Sequence, residues 1–236
     1  METEDGYFLG AHRIPHGRAN GDWFVLLGPE KGMGYVLADN GYDVWLCNVR
    51  GAIHSRKHKL LNADEGTLFW KFSWHELGLY DLPAMIDYVL NVTNKDKVHY
   101  VGHSQGGTSF VVMISERPEY NKKIKIMIGL SPAVFFTKVP NNFYRLVMSF
   151  VPILQSVIPL VSSLSTGGSV LQVLHYIQLF RTGSYQKYDY GRETNLRKYG
   201  SVTPPRYNLK NVTAPVALFY SENDIFVSEE VNRLSC

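Results

Sequence analysis

The chain has 236 residues, of which 45% are hydrophobic and 19% are charged, and its formal net charge is +3. This composition is typical of one globular domain with a sizeable core, and it argues against two equal domains. The basic residues are scattered and do not alternate with aromatic residues along one stripe, so nucleic-acid binding is not predicted.

The first fifty residues predict a sheet edge, then a helix and a strand. Residues 4–9 and 11–15 are typical of a hairpin or a pair of strands that ends at Pro15. Residues 34–40 predict a helix, and the apolar run 42–49 predicts a strand of the buried kind. We therefore expect Cys47 to be a small buried residue. A helix followed by a buried strand favours a parallel sheet.

A second helix is predicted just before the most informative part of the chain. Asp81 is expected to cap it, with Pro83 in its first turn. Glu76 is expected to be another helix cap or a solvated charge. The helix leads into a strand that begins near Val98.

The end of that strand carries the sequence Gly102-His103-Ser104-Gln105-Gly106. A Gly-x-Ser-x-Gly pattern between a strand and a helix is typical of a nucleophile elbow. Gly102 and Gly106 would relieve clashes in this strained turn. Ser104 is then a candidate nucleophile, and the Gln105 backbone N–H is a candidate oxyanion donor. The alternative is an ordinary Gly-rich turn with an idle serine.

Beyond a further strand predicted at residues 124–130, the alternation of strands and helices is interrupted. Residues 131–191 contain prolines and a predicted helix at residues 169–180 that ends at Gly183. This segment predicts an insertion that forms a cap over the core. Alternation resumes with a strand at residues 214–220. The polar turn behind that strand is where the acid of a catalytic triad belongs.

These elements predict an α/β fold with a mostly parallel sheet, helices on both faces and an inserted cap. We expect residues 1–130 to form the first part of the core. Residues 131–191 would form the cap, and residues 192–236 the last part of the core. The oligomeric state is left open.

Several other features limit the function. Two cysteines are too few for a disulfide framework, and neither a metal site nor a cofactor is predicted. Residues 143–161 are apolar but contain Arg145 and two prolines, which predicts a buried or lipid-facing cap segment and no transmembrane segment. The acidic residues 1–5 lack the pattern of a signal peptide. Asn91 and Asn211 begin N-glycosylation triplets, which matter only in the secretory pathway.

With these motifs the chain resembles the acid lipase family, the α/β-hydrolases that include gastric and lysosomal acid lipases. The likeness is carried by residues 3–7, 28–31, 37–39, 41–46, 48–51, 55–58, 72–76, 80–84, 99–106, 116–120, 174–176 and 188–191. The resemblance implies a cofactor-free lipase that cleaves acylglycerols or sterol esters at a lipid–water interface and is secreted or lysosomal. It also implies Ser104 as nucleophile and Asp224 as acid, with Glu222 as second choice.

Three parts of the family pattern have no counterpart in this sequence. A hydrophobic strand ending in His-Gly-Leu-Leu, which supplies an oxyanion donor, is missing before Gly28. His16-Gly17 does not replace it, because it comes too early and Arg18 follows it. Part of the cap is missing as well. The family's catalytic histidine follows the acid, whereas no histidine lies beyond His175.

The remaining histidines are poor substitutes for that base. His103 is expected to point into the fold, away from Ser104. A rearrangement could bring His175, on the cap helix, near Ser104. The other histidines are expected in solvent or packing roles. Because triad members act as a unit, losing the base costs about 10⁶ in rate. The alternative to a working hydrolase is therefore an inactive truncated form, or one that retains only apolar-ligand binding.

Overall fold

The computed structural model describes residues 1–14, 31–133 and 168–221, and their strands form three separate sheets. The described strands are β1 (Tyr7–Phe8), β2 (Ala11–Ile14), β3 (Val44–Cys47), β4 (Lys57–His58), β5 (Val98–His103), β6 (Ile124–Leu130) and β7 (Val216–Phe219). The described helices are α1 (Met33–Asp39), α2 (Trp74–Glu76), α3 (Leu82–Thr93), α4 (Gln105–Glu116), α5 (Val170–Thr182) and α6 (Arg192–Tyr199), with a π-helical turn at Leu77–Asp81 and 3-10 turns at Pro118–Lys123 and Leu209–Asn211. The expectations for His16-Gly17, residues 143–161, Glu222 and Asp224 lie outside the described residues.

The strands β5, β6 and β7 form one parallel sheet in that order. Gly102 lies beside Gly129, and Leu130 lies beside Phe219, so the strands end together at one edge. α4 connects β5 to β6 and packs on the buried side of the sheet, which is the βαβ arrangement that parallel strands require. The predicted α/β fold and the strand predicted at residues 124–130 are confirmed.

The two N-terminal strands exist but do not form a hairpin with each other. β1 pairs antiparallel with β4, and β2 pairs antiparallel with β3. At Gly10, between them, the backbone N–H donates to Ser55 Oγ at 2.9 Å instead of closing a turn. A Cβ at Gly10 would lie 2.6 Å from the His54 carbonyl oxygen, so this close approach requires glycine. The pair of strands is confirmed, and the hairpin alternative is wrong.

The strand β3 is less buried than its apolar sequence predicts. Its first three residues are half-buried, and Cys47 is an exposed free cysteine. Among the described residues β3 pairs only with β2, and β5 pairs only with β6, so each strand has one edge without a ladder partner there. The expectation of a buried Cys47 in a parallel sheet is wrong, because burial of such a run needs neighbours on both sides.

A buried arginine connects the N-terminal strands to the helices that precede β5. The Arg50 side chain is 1% exposed, and its Nε donates to Asp81 Oδ1 at 2.7 Å. The Arg50 backbone N–H donates to Asp81 Oδ2 at 2.8 Å, and Nη1 donates to Asp5 Oδ2 at 2.6 Å. The guanidinium lies over the Tyr7 ring, 4.0 Å from its centre. Three separate segments therefore meet on one cation.

Asp81 does not cap a helix, contrary to expectation. It ends the π-helical turn that runs directly into α3, and its side chain makes no capping hydrogen bond. The carboxylate is committed to Arg50 instead. Burial raises the pKa of Asp81 to about 6 despite the opposing effect of Arg50, so the group is ionised at neutral pH. Glu76 does cap: it forms a capping box with Ser73, confirming the prediction.

α5 confirms the helix predicted at residues 169–180. Ser169 caps its beginning, because the serine hydroxyl accepts a hydrogen bond from the Leu171 N–H at 3.2 Å. Gly183 ends the helix with a positive φ of 60°. The division into core and cap at residues 131 and 191 stays a prediction. None of the helices in the described ranges is long and apolar enough to cross a membrane.

We predict that Asp81→Asn destabilises the protein by about 3–5 kcal/mol, because it leaves the buried Arg50 charge with Asp5 as its remaining partner. Urea unfolding at pH 7 measures the change. The matched control is Asp43→Asn, which breaks the exposed ion pair with Arg13 and should cost about 1 kcal/mol or less. Equal effects of the two substitutions would contradict a special role for the buried cluster.

Candidate active site

Ser104 is the single residue between the end of β5 and the start of α4, and its backbone has a conformation that serine rarely adopts. Its φ is 49° and its ψ is −112°. Such a conformation costs about 1–3 kcal/mol and persists only where the surroundings enforce it. The predicted nucleophile elbow is therefore present in its geometry, with the strand, the turn and the helix in the expected order.

Backbone hydrogen bonds on both sides hold this turn. The Ser104 N–H donates to the Leu130 carbonyl at 3.0 Å, at the end of β6. The Ser104 carbonyl accepts from the N–H groups of Gly107 at 3.0 Å and Ala133 at 3.1 Å. The segment after β6 thus braces the elbow, and the position of Ser104 depends on two neighbouring strands.

Close packing explains two of the three glycines in the turn. A Cβ at Gly102 would lie 2.8 Å from the Gly106 carbonyl carbon, and a Cβ at Gly107 would collide with Pro132. A Cβ at Gly106 would meet only the Tyr100 hydroxyl, at an ordinary 3.7 Å. The clash expected at Gly102 is confirmed, but the one expected at Gly106 is wrong, because among the described residues the nearest atom is at ordinary contact distance. Sequence reasoning missed Gly107 and its partner Pro132.

The oxyanion donor proposed from the sequence lies at the first position of α4. The Gln105 N–H is the first N–H of the helix, so no carbonyl of a preceding helical turn accepts from it. The positive end of the helix dipole adds to its preference for an anion. Gln105 and Ser104 are both partly exposed, so a substrate can reach them. The roles assigned to these two residues stay predictions.

No histidine in the described ranges is placed to activate Ser104. Within residues 1–14, 31–133 and 168–221, no side chain hydrogen-bonds to the Ser104 hydroxyl. His103 is exposed, so the expectation that it points into the fold is wrong. The reason is the alternation along β5: His103 lies on the sheet face opposite to the one that α4 covers.

His175 is fully occupied elsewhere. Its ring stacks on Trp74 with 3.6 Å between the ring centres. Its Nε2 donates to the Gln186 carbonyl at 2.9 Å, and its Nδ1, the acceptor in this tautomer, lies 3.1 Å from Ser73 Oγ. Burial lowers the pKa of His175 to about 3, so the ring stays neutral at physiological pH. The side chain stabilises the packing of α5, and the idea that it replaces the catalytic base is not supported.

The proposed acids lie outside the described residues, and β7 is the last described strand before them in the chain. β7 ends at Phe219, whose carbonyl accepts from the Ser131 N–H at 2.7 Å. The carboxyl ends of β5, β6 and β7 therefore share one edge with Ser104. Asp224 as acid, with Glu222 as second choice, remains a prediction. No group of three or more candidate metal ligands occurs in the described part of the chain.

The chain is similar in sequence to several known proteins. The family model described as alpha/beta hydrolase fold matches residues 14–236. Lipase 1 of Drosophila melanogaster is 38% identical over 281 positions, covering 95% of this chain and 64% of that protein. Gastric triacylglycerol lipase of Rattus norvegicus is 32% identical over 299 positions, covering 97% of this chain and 75% of that protein.

Both alignments are longer than the chain itself, so these relatives carry segments that have no counterpart here. The chain spans less than two thirds of the length of Lipase 1. Among solved structures, a monoacylglycerol lipase of Paleococcus ferrophilus is similar with a TM-score of 0.44 and 16% identity, covering 97% of this chain and 82% of that one. An epoxide hydrolase of Bacillus megaterium is similar with a TM-score of 0.48 and 13% identity, covering 97% and 85%.

We predict that Gly102→Ala and Gly107→Ala each destabilise the protein by about 1–3 kcal/mol, because a methyl group at either position overlaps the packed elbow. Gly106→Ala is the matched control. It should be neutral or stabilising by up to about 1 kcal/mol, since alanine favours helix and has room there. Thermal unfolding compares the three variants, and a Gly106→Ala variant as unstable as the others would contradict this account.

The buried neutral His175 predicts a loss of stability in acid. The unfolded chain takes up a proton near pH 6.5, whereas the folded protein resists it down to about pH 3. The free energy of unfolding should therefore fall by about 2 kcal/mol between pH 6.5 and pH 4.5 through this group. His175→Phe, which keeps a ring against Trp74, should flatten this slope. An unchanged slope in His175→Phe would contradict the account of a buried, neutral His175.

Proposed function

The chain belongs to the alpha/beta hydrolase fold family, in its acid lipase group, and from this premise we propose that it is a serine ester hydrolase cleaving acylglycerol or sterol esters. The observation that carries the proposal is the strained backbone of Ser104. Backbone strain of this kind clusters at active sites, and here it places the partly exposed Ser104 at the carboxyl edge of the sheet.

The chemistry would follow the order of acyl transfer. Ser104 Oγ attacks the ester carbonyl carbon and passes its proton to a general base, while the Gln105 N–H donates to the developing oxyanion. The bond to the alcohol then breaks, the alcohol leaves with a proton, and a water molecule releases the acyl group from Ser104. Asp224 would orient the base. No cofactor takes part in these steps.

The proposed substrates indicate at which surface the protein would act. Acylglycerols and sterol esters collect at lipid–water interfaces, so the partner of the protein is such an interface rather than a soluble macromolecule. We place the protein in the secretory or lysosomal route, as its resemblance to the acid lipase family implies. In that route Asn91, which is exposed on α3, would be open to glycosylation. Residues 131–191 would form the cap over the site.

A second function is favoured by one specific observation. The described histidines are committed elsewhere or do not contact the Ser104 hydroxyl, so the elbow has no general base in the described part of the chain. A chain with this deficit would bind apolar esters without turning them over, and it would be a non-catalytic member of the family. Loss of the base lowers the rate of hydrolysis by a factor of about 10⁶, so a rate measurement distinguishes the two functions.

We predict that the purified protein hydrolyses p-nitrophenyl butyrate and that Ser104→Ala reduces the rate to the uncatalysed background. The matched control is Ser131→Ala, which removes a hydroxyl at the end of the neighbouring strand, also at a residue with positive φ. It should retain hydrolysis. Circular dichroism establishes that each protein is folded. Folded wild-type protein without turnover would reject the hydrolase and support the binding protein.

A further inference from the structure

The side chain of Tyr100 contacts both the strand end and the helix start of the elbow. Tyr100 lies in β5, and its hydroxyl donates to the Gly106 carbonyl in the first turn of α4 at 2.9 Å. A Cβ at Gly102 would lie 2.8 Å from its ring. The ring also packs against Phe110, one turn further along α4, with 4.9 Å between centres. One side chain therefore touches the turn on its strand side and on its helix side.

The chemistry of this contact suits a fixed support. Burial raises the pKa of the Tyr100 hydroxyl well above its ordinary range, so the group stays a neutral donor at any physiological pH. The Gly106 carbonyl already belongs to the helix, so the tyrosine adds a second donor to it. The contact ties the first turn of α4 to the strand that carries Ser104.

We infer that Tyr100 is a positioning residue, which holds the first turn of α4 so that the Gln105 N–H stays aimed at the oxyanion. The role rests on the proposed ester hydrolysis. The peptide that carries this N–H lies between the strained Ser104 and the anchored Gly106, so movement at Gly106 is passed directly to it. A donor displaced by a fraction of an ångström loses much of its effect in the transition state.

Tyr185, which lies outside α4, provides a matched control because its hydroxyl also donates to a carbonyl of that helix. The Tyr185 hydroxyl donates to the Thr108 carbonyl at 2.7 Å, two residues beyond Gly106. Tyr185 is largely enclosed, and its hydroxyl, like that of Tyr100, supports a carbonyl in the early part of α4. None of its described hydrogen bonds or ring contacts reaches the turn at residues 102–106. Loss of either hydroxyl removes one hydrogen bond to α4. Of the two tyrosines, Tyr100 alone contacts the turn at residues 102–106 in the described structure.

The test compares Tyr100→Phe and Tyr185→Phe in the full chain with a fluorophosphonate probe, which forms an oxyanion-like adduct with an activated serine. Tyr100→Phe should slow labelling of Ser104 by about three- to tenfold, the loss expected for one hydrogen bond. Its pH profile should keep its shape, since the Tyr100 hydroxyl that is removed stays neutral over the pH range of the assay. Tyr185→Phe should label at the wild-type rate. Equal slowing in both variants would overturn the positioning role.

Amide hydrogen exchange gives a readout that does not need catalysis. In Tyr100→Phe the peptide covering residues 104–108 should exchange about three- to tenfold faster, with residues 124–130 unchanged. In Tyr185→Phe the first turn should stay protected. Wild-type protein that fails to label would reject the proposed hydrolysis but not the support by Tyr100. Unchanged exchange at residues 104–108 in Tyr100→Phe would reject that support.

Discussion

The left-handed backbone turn at Ser104 is the constraint around which the described structure is built. A serine at φ 49° does not stay there unaided, and the neighbouring elements enforce it. The end of β6 accepts its N–H, and the segment behind β6 donates to its carbonyl. Glycines at 102 and 107 make room where a side chain would collide. These contacts place a hydroxyl and a helix N-terminus side by side, which is the arrangement that acyl transfer needs.

The second feature of the structure is how the N-terminal strands are attached to that unit. No described ladder joins β3 to β5, so backbone hydrogen bonding does not connect the two parts of the fold there. Arg50 connects them instead, by binding Asp5 near the N-terminus and Asp81 before α3. Loss of either carboxylate would leave the buried Arg50 charge only partly compensated and would lower the stability of the fold. Cys47 is exposed on β3, which among the described strands pairs with β2 alone.

Local patterns in the sequence predict the elements that local chemistry determines. The strand β6 and the helices α1 and α5 are predictable because their apolar residues and end signals lie close together in the chain. The strand-to-helix turn at Ser104 is predictable from its own five residues. The wrong expectations depend on distant partners. Asp81 resembles a cap because its partner Arg50 lies 31 residues away, and the need for glycine at 107 comes from Pro132, 25 residues later.

The same distinction applies to the function. The candidate nucleophile can be recognised from a short motif, whereas a general base is defined only by its distance from Ser104 in three dimensions. His175 illustrates this, since its stacking on Trp74 and its two hydrogen-bonding partners exclude it as the base. The most direct measurement is peptide mapping by mass spectrometry after treatment with a fluorophosphonate. The account predicts one adduct, on Ser104. Adducts on other serines, with Ser104 unmodified, would contradict it.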